Sequence, residues 1–167
     1  MEKKEGYFTY AGSRYTVVDL PGTYSLSANS EEEIVTREYI AGGKADLVCI
    51  LADASQLERS LFMLADYVGV KTPALLLLNM IDVAARQGKE VDSVSISQRL
   101  GIPVLPIIAL DKKSYGGFFE VLGEAQKASA VLNEEELRSL YTEMIGDPYR
   151  QVLALLPGEG VSGFSST

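Results

Sequence analysis

A doubly wound, mainly parallel α/β sheet is the fold class this sequence predicts, and three observations predict it. Apolar runs at 46–52 (DLVCILA), 74–79 (ALLLLN) and 104–108 (VLPII) are more continuous than the alternation of a half-exposed strand allows. Segments of helical spacing separate them, such as Leu57, Leu61, Leu64 and Val68 before Gly69. Two apolar stretches also end in polar residues, Asp19 after Val17-Val18 and Asn79 after Leu75–Leu78, and strand carboxyl ends are where sheets of this kind hold ligands.

The elements follow in order. Gly6–Tyr10 and Arg14–Val18 are aromatic and β-branched, and Ala11-Gly12-Ser13 between them predicts a β-hairpin. A loop from Leu20 to Asn29 follows. Ser30 with Glu33 forms a capping box for a helix that stops at Gly42-Gly43. The 46–52 run is a buried strand, which places Cys49 in the core as a reduced residue. After the Leu57–Val68 helix and the 74–79 strand come two short helices, ending near Gly88 and at Gly101. The 104–108 run is a strand in spite of Pro103 and Pro106, and Pro106 puts it at a sheet edge because proline cannot donate to a ladder. A helix from near Gly117 carries Phe118, Phe119 and Leu122. Asn133 with Glu136 caps another, with Leu137, Leu140, Tyr141 and Met144 on one stripe ending at Gly146. The segment 157–163 reads as flexible. With 167 residues, 47% of them hydrophobic, the expected organisation is one domain over 1–128 and a helical linker with a flexible tail over 129–167.

Composition excludes several classes. A net charge of −8 argues against binding nucleic-acid backbone or anionic lipid. No apolar run reaches the roughly 18 residues that span a bilayer, so no direct membrane insertion of this chain is expected. The start, Met1-Glu2-Lys3-Lys4-Glu5, lacks the apolar core of a signal peptide, and a cytoplasmic location is the expectation. The glutamate runs 31–33 and 134–136 fall at helix starts, where the macrodipole favours acids, so they read as structural.

Two motifs carry chemistry. Asp19-Leu20-Pro21-Gly22 is a D-x-x-G pattern: an Asp at a strand end can reach a magnesium ion, and the Gly leaves its backbone N–H open to a terminal phosphate. Asp-x-Pro-Gly is equally an ordinary turn, and on this motif alone both readings stand. Asn79-Met80-Ile81-Asp82 is the second. A carboxylate accepts from both the ring N–H and the exocyclic amine of guanine, while the amide braces the loop and reaches the base edge. Its alternative is a helix cap at Asn79 with Asp82 in the first turn. In this order, each after a buried strand, the pair favours a guanine-nucleotide-binding fold.

The run Asp19-Leu20-Pro21-Gly22-Thr23-Tyr24-Ser25-Leu26, then Asn79-Met80-Ile81-Asp82, then Leu100-Gly101-Ile102-Pro103-Val104, resembles the cytosolic G domain of the FeoB family of bacterial ferrous-iron transporters, from about Glu2 to about Ala128. The resemblance implies a P-loop GTPase-like (Ras-like) sheet, incomplete at its N-terminus and followed by a short helical appendage. It implies GTP or GDP and Mg2+ as ligands of the intact domain, with binding by this fragment left open. In it, Asp19 stands near magnesium through water, Gly22 on the terminal phosphate, and Asn79, Asp82 and Ala109 on guanine. The partner it implies is the membrane transport domain of the same transporter.

Departures from that pattern matter. The chain contains no Gly-x-x-x-x-Gly-Lys-[Ser/Thr], the loop that cradles phosphates, and Gly43-Lys44 is followed by Ala45 where a magnesium-binding hydroxyl belongs. The family's Ser-Ala on guanine is Ile108-Ala109, which keeps a backbone N–H and loses a hydroxyl. Residue 23 is Thr where many small GTPases orient water with Gln. No catalytic residue is therefore assigned, and a non-catalytic protein-interaction module is the alternative function. The resemblance also places an absent strand between 14–19 and 46–52, so the expectation is self-association through one of those strands.

Overall fold

The computed structural model describes residues 4–20 and 31–145. An antiparallel hairpin opens it, β1 (Lys4–Tyr10) and β2 (Ser13–Asp19), in register from Lys4 opposite Asp19 to Tyr10 opposite Ser13. Its two-residue turn has φ of 48° at Ala11 and 79° at Gly12, the doubly positive geometry that matches the twist of paired strands. Helix α1 (Glu31–Ala41) follows and stops at Gly42-Gly43, where Gly43 takes φ 64°. Ser30, its expected capping residue, lies outside the described residues, as do Gly22, Gly146 and 157–163.

The centre is a parallel sheet of β3 (Val48–Asp53), β4 (Ala74–Asn79) and β5 (Val104–Pro106), in that spatial order. Around it lie α2 (Leu57–Leu64), α3 (Ile81–Arg86), α4 (Ser93–Leu100), α5 (Phe118–Ala128) and α6 (Glu134–Ile145). The strand–helix alternation read from the sequence is thus present, and β5 is an edge strand. It is shorter than expected, ending at Pro106. Proline offers no N–H, Ile107 N–H makes the last ladder contact to Leu78 O at 2.8 Å, and the chain then turns away at Ile108.

Two apolar layers hold the sheet. On one face Leu76 and Leu78 meet Leu61, Leu64 and Leu100, and the same cluster takes in Leu137 and Leu140 of α6. On the other, Leu75 meets Leu122 and Ala125 of α5, with Leu77 and Tyr15 packed beside them. The hairpin is held to α5 by rings: Tyr10 stacks on Phe119 at 4.1 Å, Phe8 meets Phe119 edge-on at 5.5 Å and stacks on Tyr15 at 4.8 Å. Among the described residues β2 pairs with β1 and β3 with β4, so strands 13–19 and 48–53 do not pair with each other and belong to separate sheets.

One expectation about β3 fails. Val48, Ile50 and Ala52 are buried, but Cys49 and Leu51 are exposed, so the strand is covered on one face only. The apolar layer on the α5 side is built on Leu75 and Leu77 of β4, and neither Cys49 nor Leu51 takes part in it. Cys49 is exposed as a residue, yet the surrounding protein pushes its thiol up to about 11 by desolvation. Access decides whether this thiol reacts; the raised pKa decides how fast. Maleimide should therefore label one thiol per folded chain, at a rate that climbs about tenfold per pH unit between roughly pH 7 and 10 without levelling. Labelling that needs denaturant would contradict this placement.

Candidate functional site

At the carboxyl end of the parallel sheet two of the expected residues, Asn79 and Ala109, meet, and a third, Asp82, begins the helix that follows. Asn79 closes β4, opposite Asp53 in register, and its Oδ1 accepts a hydrogen bond from Ala109 N–H at 2.8 Å. That bond ties the loop after β4 to the loop after β5. Asp82 lies three residues on, in the first turn of α3, where its Oδ2 accepts from Arg86 Nη2 at 3.0 Å. Asn79 does not cap α3. The capping residue is Met80, which makes no side-chain cap bond, and the Asn79 amide oxygen is committed across the sheet.

Met80 itself is unusual, with φ 62° and ψ 33° in the left-handed region and 40% of its surface exposed. A long side chain there carries a steric cost, and such outliers gather where a ligand or a loop junction fixes the backbone.

The loop around Ala109 is braced by residues that sequence reading passed over. Ser114 Oγ accepts from Ile108 N–H at 3.0 Å and donates to Asp111 O at 2.7 Å. Tyr115 Oη donates to Ala109 O, and Asp111 Oδ1 caps the following 3-10 turn through Lys113 N–H at 2.9 Å. A serine hydroxyl thus sits at the Ile108 peptide although residue 108 is not serine. Asp-x-x-Ser at 111–114, the pattern of a local side-chain turn, is the sequence signal that could have found it. Behind α3, Asp53 Oδ1 accepts from Ser55 N–H at 2.8 Å and Ser55 Oγ at 2.6 Å. Lys89 Nζ donates to Ser55 O, fastening the end of α3 to the end of β3.

Asp19 stands apart, exposed at the end of β2 on the hairpin sheet. Its position at a strand's carboxyl end fits a magnesium contact through water. Among the described residues no group of three or more His, Cys, Asp or Glu gathers closely enough to hold a metal ion directly. A cleft of about 480 Å3 lies between α1 and the segment 66–72, and none of the four described candidates, Asp19, Asn79, Asp82 and Ala109, lines it. Its wall carries Arg37 and Asp66 at 3.8 Å, and desolvation holds the Asp66 carboxyl above its ordinary range, opposed by Arg37 and reinforced by Glu33.

Fold and site together define an incomplete P-loop GTPase-like domain: a parallel sheet whose carboxyl end joins an Asn-x-x-Asp loop to a second loop through one amide. A family model described as "Ferrous iron transport protein B" matches residues 1–121, and the chain belongs to that family. The Fe(2+) transporter FeoB of Salmonella typhimurium is 41% identical over 113 residues, 65% of this chain and 15% of that protein, so the chain spans a small part of such relatives. The FeoB G domain of Methanococcus jannaschii superposes with a TM-score of 0.70 at 41% identity, covering 75% of this chain and 79% of that one. The cytosolic domain of the T. maritima FeoB iron transporter in a GDP form gives 0.68 at 28% identity, covering 95% and 73%. Among the described residues no helix is long and apolar enough to cross a membrane.

Proposed function

We propose that this chain is part of the guanine-nucleotide-binding regulatory module of a bacterial ferrous-iron transporter, on the cytosolic side, and that by itself it does not turn over GTP. The observation that supports the reading is the 2.8 Å bond from Ala109 N–H to Asn79 Oδ1, which joins the loop after β5 to the segment that carries Asp82 three residues on. Asp82 accepts from the two guanine N–H donors, sharing its second oxygen with Arg86. Asn79 braces the two loops and reaches the base edge, and the Ala109 N–H, shared with Asn79 Oδ1, reaches the guanine carbonyl. Asp19 meets Mg2+ through water and Gly22 the terminal phosphate. The bound ion would supply charge neutralisation at the phosphates. The transport part of the same protein is the partner, and a second copy is the other, met through the 14–19 or 46–52 strand.

Base preference tests the pocket. Titration calorimetry with GDP and ADP should give tighter GDP binding, and Asp82→Asn should abolish the preference by turning an acceptor into a donor facing the guanine amine. Equal affinities in the wild-type chain would sink the assignment. No binding of either would favour the interaction-module alternative.

Turnover is a separate expectation. Phosphoryl transfer here is positioning and charge stabilisation, and the sequence carries no phosphate-cradling loop to supply them. Phosphate release from GTP with magnesium should stay at the buffer rate. Release that disappears with Asp19→Ala would overturn that expectation.

A further inference from the structure

We propose that the cleft between α1 and the segment 66–72 is a binding site for an organic cation with a compact apolar body, whose charge is received by Asp66. It stands apart from the guanine reading, since none of the four described candidates of that site lines it. The space is about 480 Å3, within the range of pockets that take small molecules. Its floor is apolar: Ile40 belongs to the larger core cluster, and Tyr67, Val68 and Val70 are half-buried side chains packed against that cluster. The 66–72 wall is preformed. Val68 N–H donates to Ala65 O and Val70 N–H to Tyr67 O, each at 3.2 Å, with Gly69 between them at φ 81°.

The charges decide which ligand fits. Glu33, Arg37, Asp66 and Lys71 all line the cleft, and their formal charges cancel, but they differ in depth. The Asp66 side chain is 25% exposed against 59% for Arg37. Glu33 is half-buried and Lys71 exposed. The acids therefore stand inward, while the cations sit on the rim at the ends of long stems that swing into water. Arg37 Nη2 lies 3.8 Å from Asp66 Oδ1, beyond hydrogen-bond reach, so it brings charge to the carboxylate without donating to it. Desolvation weighs most on Asp66, and the Glu33 charge adds to it. A cationic N–H donor at that carboxylate relieves both, whereas an anion would meet the two acids.

Helix α1 gives the site a consequence. Of its eleven residues only Thr36 and Ile40 are buried, so few side chains seat it. A guest that touches both walls of the cleft fastens the helix to the segment 66–72.

Benzamidine, an aromatic ring bearing a two-pronged amidinium, is the probe. Added to the full chain, it should shift the amide resonances of residues 33–43 and 66–72 and slow hydrogen exchange over 31–41, saturating in the millimolar range expected of so few atoms. Asp66→Asn should weaken its binding about tenfold, the worth of a charge-assisted hydrogen bond. Arg37→Ala, which removes only an exposed side chain, should tighten binding because the competing guanidinium is gone. Benzoate, the same shape with the opposite charge, should leave the spectrum unchanged. Benzoate binding that Arg37→Ala abolishes would make the cleft an anion site and overturn the proposal. Benzamidine shifts that fall outside the two walls, or equal affinity for wild type and Asp66→Asn, would overturn it as well. So would an unchanged spectrum with benzamidine at about 20 mM. Each of these outcomes leaves the guanine assignment to its own test, GDP against ADP.

Discussion

Replacing Leu76 by alanine is expected to lower the unfolding free energy by about 3 kcal/mol, within the range for deleting a fully buried leucine side chain. Leu76 has no exposed surface and occupies the middle of the central strand, with Ile50 of β3 and Val104 of β5 opposite it in register. Strands on both sides and the α2 and α4 residues of its cluster leave little freedom to close the cavity, so the void persists and its lining loses contacts outright. Urea denaturation is the measurement: the midpoint should fall with an unchanged slope. Leu51→Ala one strand away, at a side chain 58% exposed, should stay within roughly 0.5 kcal/mol of wild type. Equal losses for the two would mean that the burial pattern of the sheet is wrong.

Arg99→Glu is expected to release α6. In the folded chain Arg99 grips Glu143 with both terminal nitrogens, at 2.6 and 2.8 Å, Glu136 at 3.1 Å through Nε, and Ser139 Oγ at 3.2 Å. Charge reversal faces three carboxylates with one another across the α4–α6 contact, where Leu137 and Leu140 would then be exposed. Hydrogen exchange over 134–145 should rise to that of an open segment while β4 keeps its protection. Arg99→Lys should fall between, since an ammonium keeps the charge and loses the two-pronged geometry. The pH dependence has a definite sign. The Glu143 carboxyl lies below its ordinary 4.5, held there first by its hydrogen bonds to Arg99. A lowered acid contributes stability that is whole above about 4.5 and drains away as pH falls through the lowered value. Acid should therefore loosen α6, and Glu143→Gln should flatten that response. A pH-insensitive α6 in the wild-type chain would discard this account.

Local signals carried much of this fold into view and stopped at tertiary choices. Gly12, Gly43, Gly88 and Gly101 each mark a turn or helix end where the backbone takes positive φ, and each was placed from glycine chemistry alone. The Asn-x-x-Asp loop was legible as type and spacing, but whether Asn79 would cap a helix or reach another loop depended on where residue 109 came to rest in space. The Asn133–Glu136 box shows the same limit. Asn133 Oδ1 does accept from Glu136 N–H at 3.2 Å, yet Asn133 N–H turns to Leu100 O and the Glu136 carboxylate to Arg99, so tertiary partners take the reciprocal half. Cys49 was misplaced because an apolar run says that a strand is greasy and not which of its faces a helix covers. Ser114 was missed because its hydroxyl serves a peptide six residues back, a link that no periodicity announces.

The hairpin's attachment has a kinetic meaning. Since β2 shares no ladder with β3, the described contacts that join the hairpin to the rest are the rings on Phe119, Tyr15 in the α5 layer and Leu20, just past β2, on the larger core cluster. The molecule therefore has a seam. Along it residues 4–19 are expected to open as one unit before the three-stranded sheet, which faster hydrogen exchange over 4–19 than over 74–79 would show. Asp19 rides on the opening unit while Asn79, Asp82 and Ala109 stay on the other side. The carboxylate proposed for the phosphate end and the groups proposed for the base end thus lie on opposite sides of that seam, and a nucleotide held by both would act as the rivet across it.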